Sequence, residues 1–490
     1  MAKSMKANAL FKTLMSIVNI IFPLLTAPYV ARILSVDGYT EYNRASSVVS
    51  WFTPFAVFGV YTYGMRTMSR IKGDRMDVSR LFTRLFAFSV FASVAVSAVY
   101  VCLVIFAPMF SQYRLMYAIC ASQILFVCFS TDWANEAFES YGFILAKTFF
   151  CRLLYVVSVF VLVRDEGDVL MYVLLSSLST IVNNFLTFCY AKSRIRFSSL
   201  SLRDVMGLIK PLFIVFLLVN ASMLYTVFDR FMLTWFSDKL SLTYYNISQT
   251  IVLAVTNVTS SLLLVSIPRL SYLWGSGKKD EYYGVLRKTS MSFMALHIPC
   301  CIGLASLASE VIHFYSGTRY IAAALPLALF SARYVVSAFD MILAKQVMLA
   351  TGNEKSLVKI YYAAGLYNVI AKAALLLAGR LTAESCIATT ASADIIVIVM
   401  EAVSIRKLGI RYSAFSWRLI KYLAASLLFI PVIMLIRHLV PDGGMGNMTV
   451  RTVISILLCS VLYFLALLVT KDDFIWSLLR RKSTAMQEEK

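Results

Sequence analysis

Polar sequence is what this chain lacks. Across 490 residues, no segment between apolar runs exceeds about twenty residues, which leaves no room for a soluble domain. Charged side chains make up 15% of the chain and the mean hydropathy is +0.76, values that exclude an ordinary water-soluble enzyme. Histidine is scarce, and His297, His313 and His438 show no metal-ligand spacing. The nine cysteines sit almost entirely within apolar runs, and Cys300–Cys301 are neighbours unsuited to a clip. They read as small polarizable apolar residues, so neither a metal nor a cofactor is expected. There is no Walker loop, nucleophile elbow or Cys/His cluster, so the chain is not read as an enzyme and no catalytic residue is assigned. The alternating pattern of an outer-membrane barrel is missing too, because the apolar runs are continuous.

What is present is a succession of about fourteen apolar stretches, from Leu10–Ala31 to Val450–Val469, each near the roughly 20 residues that span a bilayer. The expected fold class is an all-α polytopic membrane protein with about 14 transmembrane helices. The formal charge of +20 then reports topology rather than nucleic-acid binding. With a cytoplasmic amino terminus, about 32 of the 46 Lys and Arg fall on the cytoplasmic side. The clusters Arg66–Arg84, Lys192–Arg203, Arg269–Lys288 and Arg406–Lys421 all lie there. Met1–Lys12 reads as a basic lead-in, and the first apolar run as a retained span. Fourteen spans place both termini in the cytoplasm.

The chain repeats itself weakly at an offset of 203 residues. Tyr42-Asn43 is followed by Arg66, and Tyr245-Asn246 by Arg269 at the same spacing. Ser35 and Ser237 begin the preceding short loops. An even number of spans separates the copies, so the expectation is two six-helix lobes related by a pseudo-two-fold axis along the membrane normal. The lobes are 1–200 and 201–408. Residues 409–490 add two C-terminal helices and a cytoplasmic tail.

Ionisable residues at bilayer depth cost on the order of 2.5–3.5 kcal/mol each, and so mark function by default. Arg152, Arg333, Lys372 and Asp394 fall deep within spans five, ten, eleven and twelve, with Asp229 and Arg230 near an end of span seven. Helical spacing groups them. Tyr361, Gly365, Asn368 and Lys372 form one stripe, and Thr148, Arg152 and Tyr155 another. Asn246, Thr250, Asn257 and Ser261 share a side of span eight. Arg333 shares a face with Asp340, seven residues on, and Asp394 with Glu401. Such stripes face a cavity or a partner helix. Two readings stay open: Arg333 pairs with Asp394 and Lys372 with another carboxylate as structural glue, or three deep cations against one deep acid leave a basic surplus for an anion. Arg32 and Arg66 lie at span ends, where arginines snorkel, and the same caution covers Asp132, Glu136 and Glu139. Pro23 and Pro28 predict a bend in the first helix.

These residues resemble bacterial polysaccharide-repeat-unit flippases of the Wzx (O-antigen and capsule) type, within the multidrug/oligosaccharidyl-lipid/polysaccharide exporter superfamily. The likeness rests on Asn19–Leu34 with its two prolines and Arg32, on Tyr42-Asn43 and on Phe58–Arg66. In the second half it rests on Leu224–Arg230, Ile267–Ser271, Gly352–Lys355, Asn368 and Cys386–Asp394. It covers spans one to twelve. The resemblance implies alternating access across the bacterial inner membrane, with an undecaprenyl-diphosphate-linked oligosaccharide as cargo. The pathway's polymerase and glycosyltransferases are candidate partners, and nucleic acid is not. Family cavities receive the diphosphate with positive residues, matched here by Arg32, Arg66 and Arg230; Arg152, Arg333 and Lys372 join them by depth, and Asn246 and Asn368 by position. Asp229, Asp340 and Asp394 are the ion-coupling or charge-pairing candidates. Asp394 stands where the family often has Glu. The rivals are a lipid-linked peptidoglycan-precursor flippase and a drug or cation antiporter. A polymerase or ligase would need a large outer loop, and every outer loop here is short.

Overall fold

The computed structural model describes residues 5–221, 223, 227–410, 412, 416–440 and 444–472, with side chains outside 5–10, 12, 13, 16, 20, 202 and 445. Residues 1–4 of the basic lead-in, Leu224–Thr226 of the family motif and the tail after 472 lie outside them. The described residues are helical and contain no strand. This follows from apolar runs that must satisfy every backbone group internally.

In the first half the helices are α1 (Met5–Ile33), α2 (Val36–Val57), α3 (Val60–Ile71), α4 (Arg75–Phe106), α5 (Arg114–Leu125), α6 (Asp132–Ala137), α7 (Tyr141–Leu162), α8 (Val169–Arg194), α9 (Leu202–Met206) and α10 (Ile209–Val219). Then follow α11 (Phe228–Phe236), α12 (Lys239–Gly275), α13 (Lys279–Ser306), α14 (Ala308–Ser316), α15 (Ala324–Ile342), α16 (Glu354–Leu377), α17 (Ala383–Lys407), α18 (Trp417–Leu427), α19 (Phe429–Leu439) and α20 (Met445–Val469). A π-helical turn, Leu343–Leu349, continues α15.

Eleven helical stretches among the described residues are long and apolar enough to cross a bilayer. The chain is a multi-pass membrane protein. The first, second and seventh of the fourteen expected runs carry helix among their described residues but are not among the eleven. In α1 the apolar part is Ile17–Ile33, and the helix continues through Pro23 and Pro28. The second run breaks between α2 and α3, where Phe58 and Gly59 take φ of 43° and 76°. Gly59 is required there: a Cβ would stand 2.9 Å from the Phe216 amide nitrogen and 3.0 Å from the Leu212 carbonyl. In the seventh run the described helices are α10 and α11. On the long helices one face is outward and apolar: on α4, Phe91 is 69% exposed while Phe88 is 5% exposed, the pattern of a lipid-facing surface.

The chain forms two compact units, residues 1–223 with 230–243, and 224–229 with 244–490. The first has a core of Phe82, Leu85, Phe88, Trp133 and Leu212. Its α3 lies so close to Trp133 that a Cβ on Gly64 would meet the indole at 2.5 Å. The second holds two apolar clusters, one around Phe293, Tyr422 and Tyr463, the other around Leu286, Val347 and Val397. Helices α18–α20 pack within this second unit. Tyr463 donates to the Ala295 carbonyl at 2.7 Å, and Glu310 on α14 holds Arg437 and Arg451 at 2.8 and 3.2 Å.

Candidate functional site

The deepest polar group of the second unit is built around Lys372. Its stripe on α16 turns inward against α17, so the ammonium, with no solvent exposure, meets oxygen atoms on three sides. Asp229 pairs with it at 2.8 Å, the Thr390 hydroxyl accepts at 3.0 Å, and the Asn368 amide oxygen accepts as well. Asp229 is also fully buried. It receives the hydroxyls of Thr390 at 2.8 Å and Tyr245 at 2.9 Å. A buried pair is tolerable only when its remaining hydrogen-bond capacity is met in this way.

A second set runs as a ladder between α15 and α17. Arg333 donates to Asp394 through Nε at 2.8 Å and Nη2 at 3.4 Å, and Ser337 adds a hydroxyl at 2.5 Å. One heptad further along both helices, Asp340 lies against Glu401, and Tyr361 donates to Asp340 at 3.0 Å. The seven-residue spacing on each helix produces both rungs.

The first unit arranges its charge differently. Arg152 and Thr148, of one predicted stripe, line a polar cavity of about 230 Å³ with Tyr61, Thr180, Asn183 and Glu136. Arg152 makes no ion pair among the described residues. The acids nearby are engaged: Asp132 with the buried Lys147 at 3.2 Å and Glu136 with the Tyr61 hydroxyl at 2.5 Å. Glu139 pairs with Lys72 at 3.2 Å in solvent.

The count of three deep cations against one deep acid therefore changes. Asp229, which the sequence set near a span end, is buried against Lys372, and Arg333 has Asp394. Of the three cations, Arg152 alone makes no ion pair among the described residues. Arg32 and Arg66 are exposed and Arg230 is half-buried in the first unit. Asn246 is buried on α12, one residue after the Tyr245 that serves Asp229. Sequence reading missed Lys147, which depth alone would have flagged. It also missed Gln346, whose amide reaches Ser266 at 2.6 Å and Thr289 at 3.0 Å and whose carbonyl in the π-turn accepts from Tyr282 at 3.1 Å. A π-turn shifts carbonyls out of the α register, and no local pattern announces it.

No group of three or more His, Cys, Asp or Glu side chains is arranged for a metal ion among the described residues.

Comparison with known proteins agrees with this architecture. The fold matches a solved structure of lipid II flippase MurJ in an inward closed conformation with a TM-score of 0.73 at 14% identity, covering 96% of this chain and 99% of that one. An inward-facing multidrug resistance MATE transporter of the MOP superfamily matches with a TM-score of 0.51 at 11% identity, over 80% of this chain and 96% of that one. A Shigella dysenteriae protein named "Putative O-antigen transporter" is 20% identical over 383 residues, 75% of this chain and 91% of its own. Residues 5–274, more than half of the chain, match a family described as polysaccharide biosynthesis protein. This upholds the resemblance drawn from Asn19–Leu34 and Phe58–Arg66, and the chain belongs to the polysaccharide biosynthesis protein family.

Proposed function

We propose that this protein is a flippase for undecaprenyl-diphosphate-linked oligosaccharide repeat units. It works by alternating access in the bacterial inner membrane with both termini in the cytoplasm, and it supplies the pathway's polymerase with units built by its glycosyltransferases. Family membership supports the pathway, and the relative's name supports transport. The observation that carries the substrate chemistry is Arg152, a cation at span depth that lines a polar cavity without an ion pair among the described residues. A guanidinium so placed offers the bidentate donor fork that phosphate oxygens match. Arg32, Arg66 and Arg230 are proposed as further phosphate contacts, and Asn246 and Asn368 as polar contacts. Lys372 and Arg333, held by Asp229 and Asp394, engage an anion only when those pairs open, which makes the two carboxylates their gatekeepers. A lipid-linked peptidoglycan precursor is the second reading, because it presents the same diphosphate.

The test is complementation of a strain lacking its repeat-unit flippase. Wild type restores surface glycan, Arg152→Lys restores part of it, and Arg152→Glu restores none, with all three present in the membrane at equal amounts. Like charges in a low-dielectric site repel, so the acidic substitution has the larger effect. Normal glycan export by Arg152→Glu overturns the phosphate role. Rescue of a strain depleted of its lipid II flippase, without glycan export, selects the second reading. Efflux of a cationic dye that rises in Arg152→Glu selects the antiporter.

A further inference from the structure

The second rung of the ladder has a property that the first does not. Asp340 on α15 and Glu401 on α17, each one heptad beyond the Arg333–Asp394 pair, set their carboxyl groups beside one another. Glu401 has no solvent exposure, and neither of its oxygens receives a hydrogen bond from any described donor. An ionised carboxylate only accepts hydrogen bonds. Two of them in contact, with Glu401 fully buried and Asp340 half-buried and no cation between them, repel at close range. Contact is stable when one carboxyl carries a hydrogen and donates it to the other.

The surroundings leave the proton as the occupant that fits. Lys345, in the π-turn, acts on Asp340 electrostatically, yet forms no ion pair among the described residues. Tyr361, from α16, is committed to Asp340 at 3.0 Å. Asp394, the next acid on α17, has its charge answered by Arg333 at 2.8 Å. On α13, Tyr282 donates to the Gln346 carbonyl, and His297 bonds Thr259 at 2.8 Å and the Tyr334 carbonyl at 3.1 Å. None of these groups reaches Glu401.

We propose that Asp340 and Glu401 hold one proton between them and form a proton-binding site of the second unit. Loading takes one proton from water and leaves one neutral and one charged carboxyl. Unloading returns that proton to water and sets two negative charges side by side, which drives α15 and α17 apart at this rung. The rung adjoins the π-turn, where a helix changes its hydrogen-bond register most readily. Proton occupancy and the shape of this part of the unit are thereby linked. The proposal is independent of the cargo.

The experiment uses the full-length protein in lipid nanodiscs. Protons released per chain are counted during alkaline titration, and the infrared carbonyl band of protonated carboxyl groups is recorded alongside. Glu401→Gln and the Asp340→Asn, Glu401→Gln double variant are each expected to release one proton fewer than wild type. Both should lose one group's worth of the protonated-carboxyl band. Tyr361→Phe keeps both carboxyls and is expected to retain the proton and the band. The wild-type band at neutral pH reads the site directly, whatever the stability of the variants. Equal proton release and an equal band in wild type and double variant would overturn the proposal. Neither readout involves glycan, so this result stands apart from that of the export assay.

Discussion

The two units treat buried charge in different ways. In the second, Lys372 and Arg333 each sit against their own carboxylate at 2.8 Å, and hydroxyls of Thr390, Tyr245 and Ser337 fill the remaining acceptor positions. In the first, Lys147 takes Asp132, while Arg152 looks into a polar cavity of about 230 Å³. A matched pair in low dielectric holds helices in place and is costly to break from one side. A cation in a polar cavity costs little to the fold and remains available to an anion. A position deep within a span, which these cations share, does not tell these roles apart.

The largest test of that contrast is removal of one member of a matched pair. Lys372→Ala leaves Asp229 buried without a counter-charge, and a loss of about 3–5 kcal/mol is expected, read as a lower unfolding temperature in detergent. The Asp229→Asn, Lys372→Met double variant is expected to recover most of that loss, because no charge is then stranded. An unchanged unfolding temperature in Lys372→Ala would show that the pair does not carry its own burial.

A smaller effect sharpens the comparison between the repeat copies. The copy holding Tyr42-Asn43 stops at Phe58–Gly59, whereas the one holding Tyr245-Asn246 runs on through a 37-residue helix. Gly59→Ala forces a side chain into a left-handed φ and against the Phe216 backbone, at a cost of about 1–3 kcal/mol. Leu262, 203 residues further on, lies within α12 and is 39% exposed, so Leu262→Ala is expected to change stability by about 0.5 kcal/mol or less. Equal unfolding temperatures for the two variants would remove the distinction.

The smallest effect lies outside the spans. The Asp168 carboxylate accepts the Arg164 and Asp165 amides at 2.9 Å each. These bonds hold its pKa below the usual 3.8. A group whose pKa falls on folding stabilises the protein above its unfolded pKa and ceases to do so as pH drops through the folded value. Asp168→Ala is therefore expected to lower the unfolding temperature slightly at neutral pH, with the gap to wild type closing below about pH 4. A gap independent of pH would assign the effect to the loop backbone instead.

Much was legible in the chain alone. Its membrane-spanning, all-helical character follows from run length and apolarity, which are local properties. The family resemblance lay in short contiguous motifs. Heptad spacing placed Arg333 with Asp340 and Asp394 with Glu401 on shared faces, since helical geometry is the same wherever a helix forms. What the sequence left open was which acid meets which base. Thr390 and Asp229, 161 residues apart, share a hydrogen bond, and Arg333 and Asp394 are 61 apart. Only packing brings such groups together, and in low dielectric a few ångströms decide whether a charge is bound to its partner or open to a ligand. The break at Gly59 belonged to the tertiary structure as well. It follows from the close approach of α10, and nothing within the apolar run itself requires it.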